Sequence, residues 1–344
     1  MTSEQQGPRF FGQGDVDAGT LAGERVAVLG YGNLGHALAA NLRDSGVQDV
    51  LIGNVADTYA DAARADGFEV VPIAEAAAAA DLVLVLLPDE VIPEVFVADV
   101  APNLRGGSAI LFASGYTLAY GLIVPAPDVD VLLLAPRMGG EHIRSRFLDG
   151  RGFVGYVSVE QDATGRGWRR LLGVAGAVGA LQGGVMELDA RREADLDLFV
   201  EQTMGAVIGV TVMSAFTLGV EAGIPAEALV MEMYMSGEME SVFQALREQG
   251  FFRAADFHGP TAMYGGFVRT FELMTSDLPA RFRAVLESIQ GGQFAAQFQA
   301  ERQAGYPSLS QAQAMSGEQG PIARPIVDAE ARVREMLGLK RDER

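Results

Sequence analysis

Two carboxylates four residues apart, Asp197 and Glu201, open an otherwise uncharged helical segment. Four residues is close to one helical turn, so both acids project from one face, and Glu193 lies one turn earlier on that face. The run that follows, Thr203 to Val220, carries no charge and is expected to be buried. Acids at the mouth of a buried helix are costly unless a cation, a proton or a metal compensates them. The spacing therefore fits either such a site or a solvated N-terminal turn, where acids suit the helix dipole.

A second candidate for chemistry is a glycine turn that follows a short apolar strand and opens a helix. Its first glycine permits a tight turn, its second lets the backbone approach a pyrophosphate, and its third allows close helix–strand packing. The N-terminus of the helix adds N–H groups and the positive end of a dipole. We therefore predict a dinucleotide site here. Its residues are Gly30, Tyr31, Gly32, Asn33, Leu34 and Gly35.

The end of the second strand indicates which nicotinamide cofactor is preferred. Asn54 and Asp57 stand there, and the first basic residue is Arg64. An aspartate can accept a hydrogen bond from a ribose 2′-hydroxyl, whereas it repels the 2′-phosphate that Arg or Lys would bind. We predict a preference for NADH, with NADPH still possible.

The elements that must position these residues change character along the chain. Apolar strand-like segments alternate with helical ones up to about residue 188, which is typical of a doubly wound parallel sheet. From residue 191 onward only helical patterns occur, with breaks expected at Gly259-Pro260 and at Gly265-Gly266. We predict an α/β protein, with a Rossmann domain over residues 1–188 and an all-helical domain over residues 189–344. The predicted helices are 191–222, 225–249, 277–289, 291–304 and 325–337.

Composition excludes several classes of function. The chain has 344 residues and a net charge of −19, so a nucleic-acid partner is not expected. It has no cysteine and only three histidines, which excludes disulfides and thiol nucleophiles and argues against a histidine-rich metal site. The polar N-terminus favours the cytoplasm. The uncharged stretch Met204 to Val220 is short for a bilayer, so we expect it to be buried in protein rather than in a membrane.

Taken in order, these segments resemble ketol-acid reductoisomerase, a family that couples a magnesium-dependent alkyl shift to reduction in branched-chain amino-acid synthesis. The resemblance covers roughly residues 9–338. The stretches that carry it are Val26-Ala-Val-Leu-Gly-Tyr-Gly-Asn-Leu-Gly-His-Ala37, Leu86-Leu-Pro-Asp-Glu90, Phe112-Ala-Ser-Gly115, Asp128-Val-Asp-Val131, Ala135-Pro136, Asp197-Leu-Phe-Val-Glu-Gln202, Glu221-Ala-Gly223, Thr261-Ala-Met-Tyr-Gly265 and Ile289-Gln-Gly-Gly-Gln-Phe-Ala295.

The resemblance implies a knotted helical second domain and a homodimer, or a higher oligomer, whose active site is shared between protomers. It places Leu87, Pro88 and Ser114 beside the cofactor. The family's four metal-binding carboxylates hold two magnesium ions. Three of those carboxylates match Asp197, Glu201 and Glu232.

The departures from the family pattern bear on activity. Ser236 stands where the fourth carboxylate is expected, and Glu238 comes two residues later. Arg137 replaces the family's lysine, and Ser114 replaces a histidine. The loop after Arg137 reads Met138-Gly-Gly-Glu141 instead of Gly-Pro-Gly-His. The approach to Thr261 reads Phe257-His-Gly-Pro260 and contains no serine, and Met263 replaces a glutamate.

These changes favour a reductase over a full reductoisomerase. The alkyl shift needs two hard cations close together, whereas reduction needs only nicotinamide, an electrophilic C=O or C=N bond and a proton source. Our leading hypothesis is an NAD(P)H-dependent reductase of a small carbonyl or imine compound, with Asp197, Glu201, Glu232 and Arg137 as its catalytic residues. One alternative is a genuine magnesium-dependent ketol-acid reductoisomerase. The other is a nucleotide-binding scaffold without catalysis.

Overall fold

The computed structural model describes residues 7–17, 19–254, 259–318 and 320–339. The chain divides into two compact units, residues 1–197 and residues 198–344. The first contains a nine-stranded sheet with helices packed on it, and the described part of the second contains helices and no strand. Phe257 and His258, which belong to one of the departures noted above, lie outside the described residues.

The nine strands alternate with helices along the first unit. They are β1 Phe10–Phe11, β2 Val26–Leu29, β3 Val50–Gly53, β4 Glu69–Val71, β5 Leu82–Val85, β6 Ala109–Phe112, β7 Asp130–Pro136, β8 Gly155–Gln161 and β9 Val185–Glu187. Their order in the sheet is β1-β9-β8-β7-β6-β5-β2-β3-β4. The switch of direction beside β2 is typical of doubly wound sheets, so the predicted fold class is confirmed.

The sheet is parallel from β4 to β7 and mixed beyond β7. Strand β8 runs antiparallel to β7, with Gly155 opposite Pro136. This reversal follows from the connection, because the helix Gly140–Leu148 packs beside Asn33–Asp44 and the chain then re-enters the sheet at the carboxyl end of β7. Since β2, β3, β5, β6 and β7 run parallel, their carboxyl ends meet at one edge of the sheet.

Helices cover both faces of the sheet and bury two apolar clusters against it. One cluster includes Val28, Leu38 and Leu132, and the other includes Leu29, Val83 and Leu133. The central strands are apolar on both faces because both are covered. The helices of this unit are Gln13–Asp15, Asn33–Asp44, Thr58–Ala65, Ile73–Ala79, Ile92–Val95, Phe96–Val100, Ala101–Asn103, Tyr116–Ala119, Gly140–Leu148, Gly167–Val178, Ala180–Gly183 and Ala190–Val200.

The second unit is helical and includes two π-helical turns. Those turns are Glu201–Gly205 and Met231–Met235. The α-helices are Ala206–Glu221, Ala226–Val230, Glu238–Gln249, Phe251–Ala254, Pro260–Met274, Leu278–Gln290, Gln293–Gln303, Pro307–Ser316 and Arg324–Leu337. A small core joins Phe216 and Val230 to Ala329 and Val333.

The second unit differs from the sequence prediction in two of its breaks, and the helices Pro260–Met274 and Pro307–Ser316 are not among the predicted ones. The break expected at Gly265-Gly266 is wrong, because both glycines lie inside the helix Pro260–Met274. Conversely, the helix predicted over 225–249 is interrupted at Gly237, whose φ of 82° is left-handed and suits glycine alone. A glycine inside an exposed helix costs only about 1 kcal/mol, so glycine pairs mark breaks poorly.

The expected burial of the uncharged helix is wrong for the single chain. Of the helix Ala206–Glu221 only Phe216 is buried, while Val210 is 53% and Leu218 64% exposed. By length and composition alone the continuous helix Ala190–Glu221 could cross a membrane, with a mean hydropathy of 1.7 in its most apolar stretch. The core helix of a soluble protein can have the same length and composition.

Candidate active site

The glycine turn joins β2 to the helix Asn33–Asp44 and leaves open space where a phosphate could approach. Gly30 has φ of 92° and donates its N–H to the carbonyl of Gly53 at 2.9 Å. A Cβ on Gly35 would lie 2.0 Å from the Gly30 carbonyl oxygen, so helix and strand pack too closely for any side chain there. A Cβ on Gly32 would meet nothing within 4 Å. The turn thus fits the backbone cradle of a dinucleotide pyrophosphate.

The side chains inside the turn hold it in place. Tyr31 is buried, and its hydroxyl donates to Asp66 at 2.8 Å. Burial and this bond raise the pKa of Tyr31 well above its ordinary value. The Asn33 amide oxygen accepts the N–H of Gly140 at 2.6 Å, which ties the turn to the loop after β7. Leu34 packs against the core. Cofactor contacts by Tyr31, Asn33 and Leu34 remain predictions, and these side chains also have a structural role.

Asn54 and Asp57 follow β3 at the same edge of the sheet. The Asn54 side chain accepts the N–H of Tyr31 at 3.2 Å and donates to Asp57 Oδ1 at 2.8 Å. Asp57 is the N-cap of the helix Thr58–Ala65, because its Oδ1 also accepts the N–H of Ala60 at 2.9 Å. Asn54 and Ala60 both donate to Oδ1 of Asp57. These two contacts hold an exposed carboxylate beside the glycine turn, as a site for a ribose 2′-hydroxyl requires.

The ends of β5 and β6 bring the next residues to this edge. Leu87 and Pro88 lie two and three residues after the end of β5, and Ser114 lies two residues after the end of β6. The Ser114 hydroxyl donates to Asp89 at 3.2 Å and accepts the N–H of Tyr116 at 3.2 Å. Burial raises the pKa of Asp89 to about 6. The sequence did not indicate Asp89 as a functional residue, although it lies in a stretch that matches the family.

Arg137 lies directly after β7 and contacts two carboxylates of the helix Ala190–Val200. Its Nη1 donates to Asp197 Oδ1 at 2.9 Å, and its Nη2 lies 3.1 Å from Glu193 Oε1. Its Nε donates to the carbonyl of Pro136 at 3.0 Å, and the guanidinium lies 5.2 Å from the ring centre of Tyr156. Two of the acids noted at the helix opening are thus joined by one cation.

Glu193 is the most buried acid of this group, at 1% exposure. It accepts the N–H of Gly115 at 2.7 Å. Burial raises the pKa of Glu193 to about 7, even though Gly115 and Arg137 both favour its charged form. The contact with Gly115 depends on glycine, because a Cβ there would lie 2.1 Å from the carbonyl oxygen of Ala190. The spacing of one turn from Asp197 was the only sequence signal for Glu193.

The remaining predicted ligands belong to the second unit. Glu201 opens the π-turn Glu201–Gly205, and Glu232 is the second residue of the π-turn Met231–Met235. Such turns are rare and occur often at functional sites. Ser236 is exposed, and its hydroxyl accepts the N–H of Glu238 at 3.3 Å. Glu238 is separated from Glu232 by the left-handed residue Gly237 and opens the next helix.

The described residues do not fit a two-magnesium site. Of the expected metal-binding carboxylates, Asp197 is paired with the guanidinium of Arg137, and Ser236 occupies the position of the fourth. Within residues 7–17, 19–254, 259–318 and 320–339, no group of three or more acidic or histidine side chains is arranged to hold a metal ion. The nucleotide turn, by contrast, does fit its cofactor.

Comparison with known proteins identifies the family of both units. The NADPH-binding domain of acetohydroxy acid isomeroreductase matches residues 20–184, and the C-terminal domain of ketol-acid reductoisomerase matches residues 191–338. The chain belongs to the ketol-acid reductoisomerase family. It is therefore an NAD(P)H-dependent oxidoreductase, as the sequence predicts.

Individual relatives agree with this assignment to the ketol-acid reductoisomerase family. A protein of Saccharolobus solfataricus named "Putative ketol-acid reductoisomerase 3" is 37% identical over 298 residues, which cover 85% of this chain and 89% of the relative. The structure of an NADH-preferring ketol-acid reductoisomerase from an uncultured archaeon is 30% identical, with a TM-score of 0.88, and the match covers 95% of this chain and 99% of that one. A semialdehyde dehydrogenase NAD-binding protein from Cupriavidus necator, at 22% identity and a TM-score of 0.59, shares the fold over 78% of this chain and 98% of its own.

Proposed function

We propose that this member of the family is an NADH-preferring reductase of a small carbonyl or imine compound that has lost the isomerase step. The observation that carries the proposal is the interruption after Glu232. Ser236 replaces the fourth acid, and the next acid, Glu238, lies beyond left-handed Gly237 at the start of another helix. An alkyl shift depends on Lewis-acid polarisation by two nearby cations, and this arrangement supplies too few ligands for the second.

Reduction needs fewer protein groups than the alkyl shift does. A nicotinamide cofactor bound at the glycine turn would supply the hydride for the carbonyl or imine carbon and would be oxidised to NAD⁺, and the protein or water must add a proton to the oxygen or nitrogen. The open space at Gly32 admits the pyrophosphate, and the ends of β5 and β6 place Leu87 and Ser114 at the same edge of the sheet. Glu201, Glu232 or a bound water is the proposed proton source, and Arg137 is proposed to orient the C=O or C=N group.

The preference for NADH rests on Asp57. Its carboxylate is fixed by Ala60 and Asn54 beside the glycine turn, where a 2′-phosphate would meet a negative charge. The relative at 30% identity is named as NADH-preferring, which supports the same preference here.

We propose that the protein is a homodimer and that it works in the cytoplasm, and the exposed apolar helix supports the dimer. A second copy of the chain would cover side chains such as Val210 and Leu218, which the single chain leaves in water. We propose that the active site is shared between the two copies. The test is to mix inactive Arg137→Ala and Glu232→Gln proteins after partial denaturation and refolding. Recovered activity would support a shared site, and its absence despite mixed dimers would contradict it.

The test of the reductase uses purified protein and a panel of substrates. NADH oxidation is followed with 2-acetolactate, simple 2-keto acids, ketones and cyclic imines, with and without Mg²⁺. We expect reduction of at least one ketone, keto acid or imine and no conversion of 2-acetolactate. Conversion of 2-acetolactate to the dihydroxy acid at rates typical of an enzyme would overturn the proposal.

The second candidate function is the full magnesium-dependent reductoisomerase, which the names of both close relatives favour. It requires Glu238 or another acid to complete the metal site. The third candidate is a scaffold that binds nucleotide without catalysis. NADH binding with no oxidation across the whole panel would favour that third function.

A further inference from the structure

We propose that the Arg137 guanidinium takes the place of a metal ion at Asp197, so that this reductase works without a divalent cation bound there. The inference deepens the proposed function and rests on it. The family's metal set includes the position of Asp197, yet in this chain the cation that meets that carboxylate is part of the protein.

The guanidinium is held from several sides. Nε is fixed by the carbonyl of Pro136, Nη1 by Asp197 and Nη2 by Glu193, and the plane lies near the ring of Tyr156. The arginine side chain is only 26% exposed. Asp197 and Glu193 are one helical turn apart, which suits the two terminal nitrogens of a planar fork. The single ammonium of the family's lysine has no such fork geometry.

A second set of contacts fixes the carboxylate that orients the arginine. Glu193 is buried and accepts the Gly115 N–H, so it cannot turn away without leaving that donor unpaired. Gly115 in turn packs against the carbonyl of Ala190 too closely for any side chain. Packing between the end of β6 and the start of the helix Ala190–Val200 therefore fixes the position of the guanidinium.

A divalent ion at Asp197 would meet this positive charge. One of the two Asp197 oxygens, Oδ1, already accepts a hydrogen bond from Nη1 at 2.9 Å. Two cations a few ångströms apart repel each other. The guanidinium can also assume part of the metal's role, because it carries five N–H groups, and those beyond its three protein contacts can donate to a substrate oxygen or nitrogen.

The experiment measures Mn²⁺ binding to the full-length protein saturated with NADH, by electron paramagnetic resonance and calorimetry. Removing the guanidinium in Arg137→Ala should tighten Mn²⁺ binding at least about tenfold, because it opens Asp197 and removes the repelling charge. The added substitution Asp197→Asn should abolish the gain. Arg137→Gln, which keeps the length of the side chain without its charge, should show the same gain if Arg137→Ala does not fold.

Arg144→Ala is the matched control. Arg144 pairs with Asp44 at 2.5 Å, and the Asp44 side chain is 37% exposed against 43% for Asp197. Freeing this ordinary surface acid should bring no gain in Mn²⁺ affinity.

Equal Mn²⁺ affinity in the wild type and in both folded Arg137 variants would overturn the inference. Because this readout involves no turnover, it can fail while the reductase stands. Conversion of 2-acetolactate would instead contradict the proposed function.

Discussion

Glu193→Gln should change how the stability of the first unit depends on pH. The carboxyl is buried, and burial raises its pKa from 4.5 to about 7. Glutamine keeps an oxygen for the N–H of Gly115 and a side chain of similar size, but it puts an amide nitrogen where Oε1 of Glu193 faces Nη2 of Arg137. The substitution therefore removes the titration of the carboxyl together with that contact, and the quantity predicted is how the difference in stability changes with pH.

The sign and size follow from the two protonation states. Below pH 4.5 the carboxyl of Glu193 is protonated in both the folded and unfolded protein. As pH rises, the unfolded chain loses the proton first, so the folded state loses stability until pH passes about 7. A difference of about 2.5 pKa units corresponds to ~3 kcal/mol. Relative to wild type, Glu193→Gln should therefore gain about 3 kcal/mol between roughly pH 4 and pH 8.

The assay is urea unfolding followed by tryptophan fluorescence. The chain has a single tryptophan, Trp168, and it lies on the helix Gly167–Val178 of the first unit. The free energy of unfolding is measured for wild type and variant across the pH range, and the quantity of interest is their difference. Parallel pH profiles for the two proteins would refute the reasoning, because Glu193 would then titrate alike in both states.

Two further predictions concern the cofactor. Gly35→Ala should prevent correct folding of the nucleotide turn, because its Cβ would lie 2.0 Å from the Gly30 oxygen, whereas Gly32→Ala should fold normally and weaken NADH binding at least about tenfold. Thermal unfolding and NADH fluorescence separate the two effects, and normal NADH affinity in Gly32→Ala would exclude the turn as a pyrophosphate site. Asp57→Asn should keep the cap on Ala60 but narrow the difference between the NADH and NADPH dissociation constants. An unchanged ratio would remove Asp57 as the residue that discriminates the cofactors.

Local patterns predicted much of the first unit. The apolar runs at β2 and β5 are buried on both faces, and each is followed by residues at the carboxyl edge, which is where an open α/β sheet binds its ligands. The glycine spacing was informative because each glycine is required for a different steric reason. Gly30 needs a positive φ, and Gly35 needs the absence of a Cβ. Requirements of this kind are local and therefore readable along the chain.

The partners of the site residues were not predictable in the same way. Arg137 was expected to act in catalysis, but its contacts with Glu193 and Asp197 join strand β7 to a helix more than fifty residues later. Such a pairing depends on how the elements pack, and the spacing of residues along the chain does not predict it. The π-turns that contain Glu201 and Glu232 were missed for a related reason, since no residue type requires a π-turn as glycine is required at Gly237.

The acids at the opening of the helix Ala190–Val200 need compensation, and in this chain it takes two forms. Asp197 receives the positive charge of Arg137. That single charge also faces Glu193, so the two acids together exceed it, and burial disfavours the excess negative charge. The raised pKa of Glu193 relieves part of this excess, because burial favours the protonated form of its carboxyl. In our proposal, a cation at the more exposed acid and a proton at the buried one together compensate this part of the site without a metal ion.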